Sequence, residues 1–191
     1  MRCESDSRTP LTMLTKEQET WINHLSDVDK VNIVQFDPIV YEVFGAQKEE
    51  LDKVLTGEKV QALHRGASSM GISGKGDVDI YIPVDETDFE QIVQKLKDFY
   101  GEPGSHYAKK RARWNKVVGE TEVEIFVINR QDESWTKSVI FEDYLRTHPD
   151  ALHEYRKLKE DANGTTVREY YRRKTEFINK ILELSRDVSS A

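Results

Sequence analysis

The sequence predicts an α/β fold of the α+β type, in which a short mixed β-sheet is backed by helices and a helical part follows at about residues 141–186. Two stretches, 77–82 and 122–128, alternate acidic with apolar residues, which is typical of strands with one buried face. Several stretches around them carry apolar residues at helical spacing. In a chain of 191 residues these elements predict one domain with a sizeable core, which we place at residues 15–191.

Composition and charge limit the classes of protein to which the chain can belong. Charged residues make up 33% of it, and no apolar run approaches the roughly 18 to 20 residues of a membrane helix, so we expect a soluble protein without a membrane partner. The net charge of −7 disfavours an extended nucleic-acid surface. Residues 1–14 lack the apolar centre of a secretory signal and are expected to form a disordered tail. The single cysteine, Cys3, favours a reducing compartment, and we expect a cytoplasmic protein.

Helix signals surround the predicted strands. Thr15 and Gln18 have the spacing of a capping box. Asp37 can cap a longer helix whose first turn contains Pro38, and Gly101 ends an amphipathic helix. The predicted helices cover residues 15–25, 38–55, 88–100 and 149–158 and a last segment from about 166, and a core strand at 60–64 precedes a loop of small residues.

Two carboxylates stand one residue apart where that loop enters the next strand. Because side chains alternate along a strand, Asp77 and Asp79 project from one face, while Val78, Ile80 and Ile82 point into the core. Two like charges at this separation repel each other unless a cation lies between them. A hard divalent ion that prefers oxygen ligands, Mg²⁺ or Mn²⁺, meets this requirement. The alternative is a pair of acids that are merely solvated at a strand end.

The strand at 122–128 offers a third carboxylate. Glu122 and Glu124 share one face of it, and Glu124 is the better candidate because it lies inside the apolar run. Residues 114–118 and the turn after them predict a hairpin that brings Glu124 beside the Asp pair. A solvent-facing glutamate on an amphipathic strand is the alternative.

Three carboxylates in this arrangement indicate phosphoryl-transfer chemistry. Asp77 and Asp79 can hold the metal of a nucleoside triphosphate, and Glu124 can bind metal or help to activate an attacking hydroxyl. We therefore predict that Asp77, Asp79 and Glu124 are both the catalytic residues and the metal ligands.

The loop before the Asp pair offers groups that bind phosphate. Gly66, Ala67, Ser68 and Ser69 can surround the β- and γ-phosphates with backbone amides and hydroxyls, and glycine permits a close approach. Lys75 can add a direct phosphate contact, with solvation of the loop as the alternative.

These residues resemble a known superfamily. Gly66 and Ala67, followed after nine residues by Asp77 and Asp79, resemble the loop and the DxD strand of the DNA polymerase β-like nucleotidyltransferases, and Glu124 matches their third acid.

The wider chain resembles one branch of that superfamily, the GrpB family of small nucleotidyltransferase-like proteins. Similar segments lie at residues 31–38, 64–69 and 141–149, and the last of these is the most specific. The resemblance covers about residues 31–182. It implies a nucleotidyltransferase-like sheet with C-terminal helices that close one side of a cleft.

This chain departs from the pattern of its relatives at several positions. Ala67 stands where the superfamily has Gly or Ser, and the usual proline near Met70 is absent. Many GrpB-like sequences have an apolar residue in place of Asp77 and lack the acid at Glu124. This chain therefore keeps a fuller set of metal ligands, which favours catalysis.

Four further basic residues are candidates for phosphate binding. The resemblance implies that Lys159 and Lys174 line a nucleotide or acceptor cleft, with helix packing and a solvated face as the alternative. Arg111 and Arg113 lie in a basic run and share a face if it is extended, where they can meet phosphates. A solvated edge strand protected by its charge is equally compatible with that run.

Together these features predict a metal-dependent nucleotidyltransferase that transfers a nucleoside monophosphate to an acceptor hydroxyl. The expected donor is a nucleoside triphosphate, with ATP as the first choice, and the expected acceptor is a small molecule or a protein. The alternative is a non-catalytic module of the same fold that binds a nucleotide or another phosphorylated ligand. A structural interaction protein with a vestigial cleft is a third hypothesis, which the full set of three acids argues against.

Overall fold

The computed structural model describes residues 14–189, with side chains from 14 to 186, and in this part it contains seven helices and one five-stranded sheet. Residues 1–13, which include Cys3 and nearly all of the predicted tail, lie outside the described part. The elements are α1 (Lys16–Asn23), α2 (Ile39–Val54), β1 (Leu63–Arg65), α3 (Gly66–Ser69), β2 (Val78–Val84), α4 (Phe89–Tyr100), β3 (Ser105–Tyr107), β4 (Arg111–Val118), β5 (Thr121–Asn129), α5 (Glu133–Thr147), α6 (Pro149–Asp161) and α7 (Val167–Ser189).

The sheet is mixed and has the strand order β1-β2-β5-β4-β3, which confirms the predicted α/β architecture. The central strands β2 and β5 are parallel, and the other neighbouring pairs are antiparallel. The predicted hairpin is formed by β4 and β5, which turn at Gly119 with φ +62°. This topology places β2 and β5 side by side in the middle of the sheet.

One face of the sheet carries the main hydrophobic core. Alternate side chains of β2 and β5 are fully buried there and belong to one cluster with residues of α2 and α4. These side chains are Val78, Ile80, Ile82, Val84, Val123, Ile125 and Val127. Because successive side chains of a strand point to opposite faces, Asp79 and Glu124 project from the face opposite to this core.

The helices α5, α6 and α7 form a second core. It is built from the buried side chains of Ile72, Phe141, Leu145, Tyr155, Phe177 and Ile181. At the other end of the described part, α1 packs on α7, where Arg172 donates two hydrogen bonds to Glu19, at 2.9 and 3.0 Å. Within the described residues no helix combines the length and the apolar character that a membrane span requires.

The predicted helix starts are largely confirmed by their caps. Thr15 and Gln18 form the reciprocal hydrogen bonds of a capping box at α1. Asp37 accepts a hydrogen bond from the Ile39 N–H at the start of α2, at 3.0 Å. Pro149 begins α6.

Three local expectations were wrong, and one strand was not predicted. The loop of small residues contains one turn of helix, α3, because Gly66 turns the chain out of β1 with φ +75°. The core strand lies at Leu63–Arg65 and not at 60–64. β4 begins at Arg111, ahead of the predicted start at 114, and pairs there with β3, a short polar edge strand that was not predicted.

The C-terminal helical part also begins earlier than expected. α5 starts at Glu133 and not near 141, because the Asp132 carboxylate accepts the Ser134 N–H at 2.9 Å and caps the helix.

Candidate active site

Three carboxylates meet where β2 and β5 lie side by side. Asp77 directly precedes β2, Asp79 lies in it, and Glu124 is the register partner of Asp79 on β5. One oxygen from each carboxylate lies within 4.8 Å of the other two. Glu122, two residues before Glu124, is exposed. The sheet therefore brings together the three acids that the sequence predicted, and we call them the triad.

Gly66 makes room for one acid of the triad. A Cβ atom at this position would lie 2.3 Å from Oδ2 of Asp79. The Gly66 N–H donates a hydrogen bond to Oε1 of Glu142 at 3.0 Å, which fixes the glycine backbone against α5. Any side chain at position 66 would displace the Asp79 carboxylate, so glycine is required by close approach as well as by its positive φ.

Two acids of the triad are paired with cations. Nζ of Lys75 lies 2.6 Å from Oδ2 of Asp77, and Nη1 of Arg113 donates to Oε1 of Glu124 at 3.2 Å. Burial lowers the pKa of Lys75, but the charge and hydrogen bond of Asp77, together with the influence of Tyr171 and Glu124, raise it by more, so the net pKa is raised. Lys75 therefore stays charged, and its charge offsets that of Asp77.

The surroundings of Asp79 disfavour the charged form of its carboxyl group. Burial raises the pKa of its carboxyl, and the charges of Asp77 and Glu124 raise that pKa further. The positive charges of Lys174 and Lys75 act in the opposite direction without cancelling the rise. Repulsion of this kind is what a divalent cation relieves when carboxylate oxygens surround it.

Two lysines of the C-terminal helices lie near the aspartates of the triad. Lys159 on α6 is only 4% exposed, and its Nζ donates to the Tyr170 hydroxyl at 3.2 Å and lies 5.0 Å from the centre of the Tyr155 ring. Burial lowers the pKa of Lys159. At Lys174 on α7, the electrostatic influence of Tyr155 raises the pKa by more than burial lowers it. The charge of Asp79 raises this pKa further. In the described part of the chain neither lysine has an ion pair with a carboxylate.

The predicted phosphate-binding residues of α3 have partners within the protein. The Ser68 hydroxyl is hydrogen-bonded to Nε2 of His64 at 3.0 Å. The Ser69 hydroxyl donates to the Gly66 carbonyl at 2.8 Å and accepts from Nη2 of Arg146 at 3.0 Å. A phosphate at this turn would therefore have to share or replace these bonds.

A cavity of about 330 Å³ adjoins the triad at Asp77. Ala67, Ser68 and Lys75 contribute to its wall, and the segment at residues 34–40 closes the other side. Its size lies at the lower end of the range for small-molecule sites. Three of the predicted phosphate-binding residues thus surround one opening beside the triad.

Arg111 is not brought to the triad. It pairs with Ile128 on β5, four residues along the strand from Glu124, and its guanidinium lies 5.4 Å from the centre of the Tyr107 ring. Of the two arginines predicted from the basic run, Arg113 is the one that contacts a triad acid.

The family model described as GrpB protein matches residues 30–184, which is most of the chain. The chain belongs to the GrpB family. The match begins after α1, which packs on α7.

Two relatives extend this finding. The UPF0157 protein YqkA of Bacillus subtilis (strain 168) is 25% identical over 161 residues, which are 81% of this chain and 47% of YqkA. The chain thus spans about half the length of that relative. The crystal structure of the conserved protein GrpB from Enterococcus faecalis superposes with a TM-score of 0.62 and 18% identity, and covers 83% of this chain and 99% of the other. This likeness shows that the two proteins share a fold.

A second solved structure, of a cytoplasmic RNA terminal U-transferase, has a TM-score of 0.41 and 14% identity and covers 76% of this chain and 46% of its own. At this TM-score the likeness carries no argument about function.

The triad of this GrpB protein has the donor set that suits Mg²⁺ or Mn²⁺. Its three ligands are carboxylate oxygens, which these hard cations prefer, and they converge on one point of the sheet. Close approach of Gly66 leaves the Asp79 carboxylate free of a neighbouring Cβ. The residues present therefore fit the predicted metal.

Sequence reasoning missed two buried residues next to the triad. Nε of Arg65 lies 3.0 Å from Oε2 of Glu142, and the Arg65 guanidinium lies 5.0 Å from the centre of the Trp135 ring. Burial raises the pKa of Glu142 even though Arg65 lowers it. The signal in the sequence was an acid between Phe141 and Leu145 on the apolar face of a helix.

Proposed function

We propose that this protein is a metal-dependent nucleotidyltransferase, which transfers a nucleoside monophosphate from a nucleoside triphosphate to a hydroxyl of a small molecule or a protein. ATP is the first candidate for the donor. The observation that carries the proposal is the triad: Asp79 and Glu124 lie opposite each other on parallel strands, and Asp77 completes a set of oxygens within 4.8 Å.

The reaction is a displacement at the α-phosphorus. The oxygen of the acceptor forms a bond to this phosphorus, the bond to the bridging oxygen of the β-phosphate breaks, and pyrophosphate leaves with the electron pair. Mg²⁺ or Mn²⁺ held by the carboxylates would supply positive charge for the phosphate oxygens and for the attacking and leaving oxygens.

We assign to Glu124 the activation of the acceptor hydroxyl. Its carboxylate can take the proton that the hydroxyl loses, because it is the triad acid on β5 and is oriented by Arg113 at 3.2 Å and Asn115 at 3.4 Å. Both donors come from β4, the neighbouring strand of the hairpin, so the carboxylate is held by the backbone pairing of two strands.

Lys159 and Lys174 are assigned to the triphosphate. Lys159 interacts electrostatically with Asp77 and Asp79, and Lys174 with Asp79, and in the described residues neither lysine forms an ion pair with a carboxylate. The Lys159 amino group is buried and has little contact with water. Polyphosphate oxygens could take the place of that water as its hydrogen-bonding partners, which favours an anionic ligand at this lysine.

Pyrophosphate release tests the proposal. The wild type, Glu124→Gln and Glu122→Gln are incubated with each nucleoside triphosphate, Mg²⁺ and a mixture of hydroxylated small molecules, and the adduct is identified by mass. Removing a positioned general base costs about 10²- to 10⁴-fold in rate, so Glu124→Gln should lose activity while Glu122→Gln, exposed on the same strand face, keeps it. Equal rates in all three proteins would contradict the assignment.

A second candidate is a non-catalytic module that binds a nucleotide or a phosphorylated ligand. The specific observation in its favour is that Lys75 and Arg113 already neutralise two of the acids and that Glu142 already accepts the Gly66 N–H. Such a module would bind nucleotide in the presence of a chelator and release no pyrophosphate. The transferase requires metal both to bind the nucleotide and to release pyrophosphate.

A further inference from the structure

The ion pair between Lys75 and Asp77 joins two side chains of different exposure. Nζ of Lys75 lies 2.6 Å from Oδ2 of Asp77, the Lys75 side chain is 42% exposed, and that of Asp77 is 11% exposed. The lysine end can therefore move into solvent or toward a ligand, whereas the carboxylate stays in the triad. The ammonium covers one oxygen of an acid that we assign to metal binding.

The backbone on both sides of Lys75 is held in place. Gly74 exchanges two hydrogen bonds with Val34, at 2.8 and 3.1 Å. Gly76 has φ +84°, and a Cβ atom there would lie 3.0 Å from a methyl group of Val34. The loop is thus hydrogen-bonded to the neighbouring segment just before Lys75 and passes close to Val34 just after it, so we expect the ammonium to move mainly by rotation of its side chain.

The same lysine reaches the space that a ligand can enter. Lys75 and Asp77 both line the cavity of about 330 Å³, together with Ser68. An ammonium that leaves Asp77 therefore remains beside this opening. Phosphate oxygens entering the cavity are suitable partners for it, because they exceed one carboxylate oxygen in number and in charge.

We propose that Lys75 is a tethered counterion of the triad. Its ammonium competes with a free divalent cation for Asp77, and it transfers to the phosphates when a nucleotide arrives with its metal. As a result, the metal alone binds weakly and the metal with nucleotide binds well. This inference rests on the proposed function, since it assigns a metal and a triphosphate to the triad.

Mn²⁺ binding to the full chain, measured from the electron paramagnetic resonance signal of the free ion, tests the inference. The proteins are the wild type, Lys75→Gln, Lys75→Arg and the control Lys137→Gln, which removes an equal charge from an exposed ion pair with Glu133 on α5. Without nucleotide, Lys75→Gln should bind Mn²⁺ about tenfold more tightly than the wild type, because an ammonium next to the ion is removed. Lys75→Arg and Lys137→Gln should match the wild type.

Addition of a non-hydrolysable ATP analogue completes the test. With the analogue present, Lys75→Gln should no longer bind Mn²⁺ more tightly than the wild type, and its affinity should equal or fall below that of the wild type. The variant has an uncovered Asp77 carboxylate for the metal, but it lacks the ammonium that contacts the phosphates. The same titration on Asp79→Asn should abolish Mn²⁺ binding and so locate the signal at the triad.

The outcomes separate the two proposals. Equal Mn²⁺ affinity in the wild type and Lys75→Gln, with binding still lost in Asp79→Asn, would overturn the counterion role and leave the metal site intact. A gain of equal size in Lys137→Gln would also overturn it, because net charge would then be the cause. If no protein binds Mn²⁺ with or without the nucleotide analogue, the proposed function and the inference both fail.

Discussion

Gly66 shows how a single residue shapes the triad. Its missing side chain admits the Asp79 carboxylate, and its N–H is fixed by Glu142 from α5. A glycine in a loop before two aspartates suggests a close approach of phosphate, which was our interpretation of the sequence. In the folded chain the close approach is made by a carboxylate of the protein itself.

The substitution Gly66→Ala tests this role at the scale of one residue. A Cβ atom 2.3 Å from Oδ2 of Asp79 must push the carboxylate aside, so we expect Mn²⁺ binding to weaken by at least about tenfold. Gly164→Ala is the matched control, because Gly164 has the same φ of +75° and a Cβ atom there would meet no atom of the described residues within 4 Å. The left-handed backbone alone costs both variants about 1 to 2 kcal/mol of stability.

Binding titrations and urea unfolding of the two variants provide the measurement. Gly66→Ala should be the less stable of the two and the only one with impaired metal binding. Equal stability, together with intact Mn²⁺ affinity in Gly66→Ala, would show that the carboxylate does not depend on this glycine.

At the scale of secondary-structure elements, predictability followed the strength of the periodic pattern. β2 could be predicted because its buried and less buried residues alternate over seven residues, and β5 because acidic and apolar residues alternate over 122–125 before an apolar run. α3 has only four residues, which is too short for a helical period, and β3 is a polar edge strand without alternation. These two elements gave no signal that sequence reasoning could use.

The residues of the site likewise differed in whether a local sequence pattern reveals them. The three acids could be predicted, because alternation within a strand decides which face a side chain takes. Glu142 could not, since its contact with Gly66 joins residues 76 positions apart and exists only when α5 lies on the sheet. Lys159 and Lys174 came from the family resemblance, because helical spacing alone does not distinguish a buried lysine from a solvated one.

His64 joins three elements, and its protonation provides a prediction at this scale. The ring stacks on Phe44 of α2 at 4.8 Å between centres, and Nε2 is hydrogen-bonded to Ser68 of α3. Burial lowers the pKa of His64 from 6.5 to about 4, and the charge of Arg146 adds to this. Because the folded state binds this proton less readily than the unfolded state, the contribution of His64 to stability falls as the pH drops from about 6.5 toward 4.

Urea unfolding at pH 7.5 and pH 5 measures this loss. Between these two pH values the wild type should lose about 1 kcal/mol more unfolding free energy than His64→Gln. His153→Gln, at an exposed position of α6, should follow the wild type. A pH dependence of His64→Gln as steep as that of the wild type would contradict the assignment of this loss to His64.

At the scale of the whole molecule, two of the hydrophobic clusters in the described residues have different roles. The core between the sheet and α2 and α4 fixes the register of β2 and β5, and so the distance between Asp79 and Glu124. The second core positions α6 and α7, and with them the two lysines. The protein therefore combines an acidic face from the sheet with basic groups from the C-terminal helices, although its net charge is −7.

The measurement that tests the central claim most directly is thermal stabilisation by ATP, GTP, CTP and UTP, each with Mg²⁺ and with a chelator. The proteins are the wild type and the double variant Asp77→Asn/Asp79→Asn. At a ligand concentration of 100 times Kd, binding adds about 2.7 kcal/mol to the stability, which raises Tm by roughly 5 to 10 °C for a domain of this size. We expect such a rise for the wild type with at least one nucleotide and Mg²⁺, and none with chelator or in the double variant. An absence of any rise while both proteins are folded, or an equal rise in the double variant, would contradict the claim that the triad binds a metal with its nucleotide.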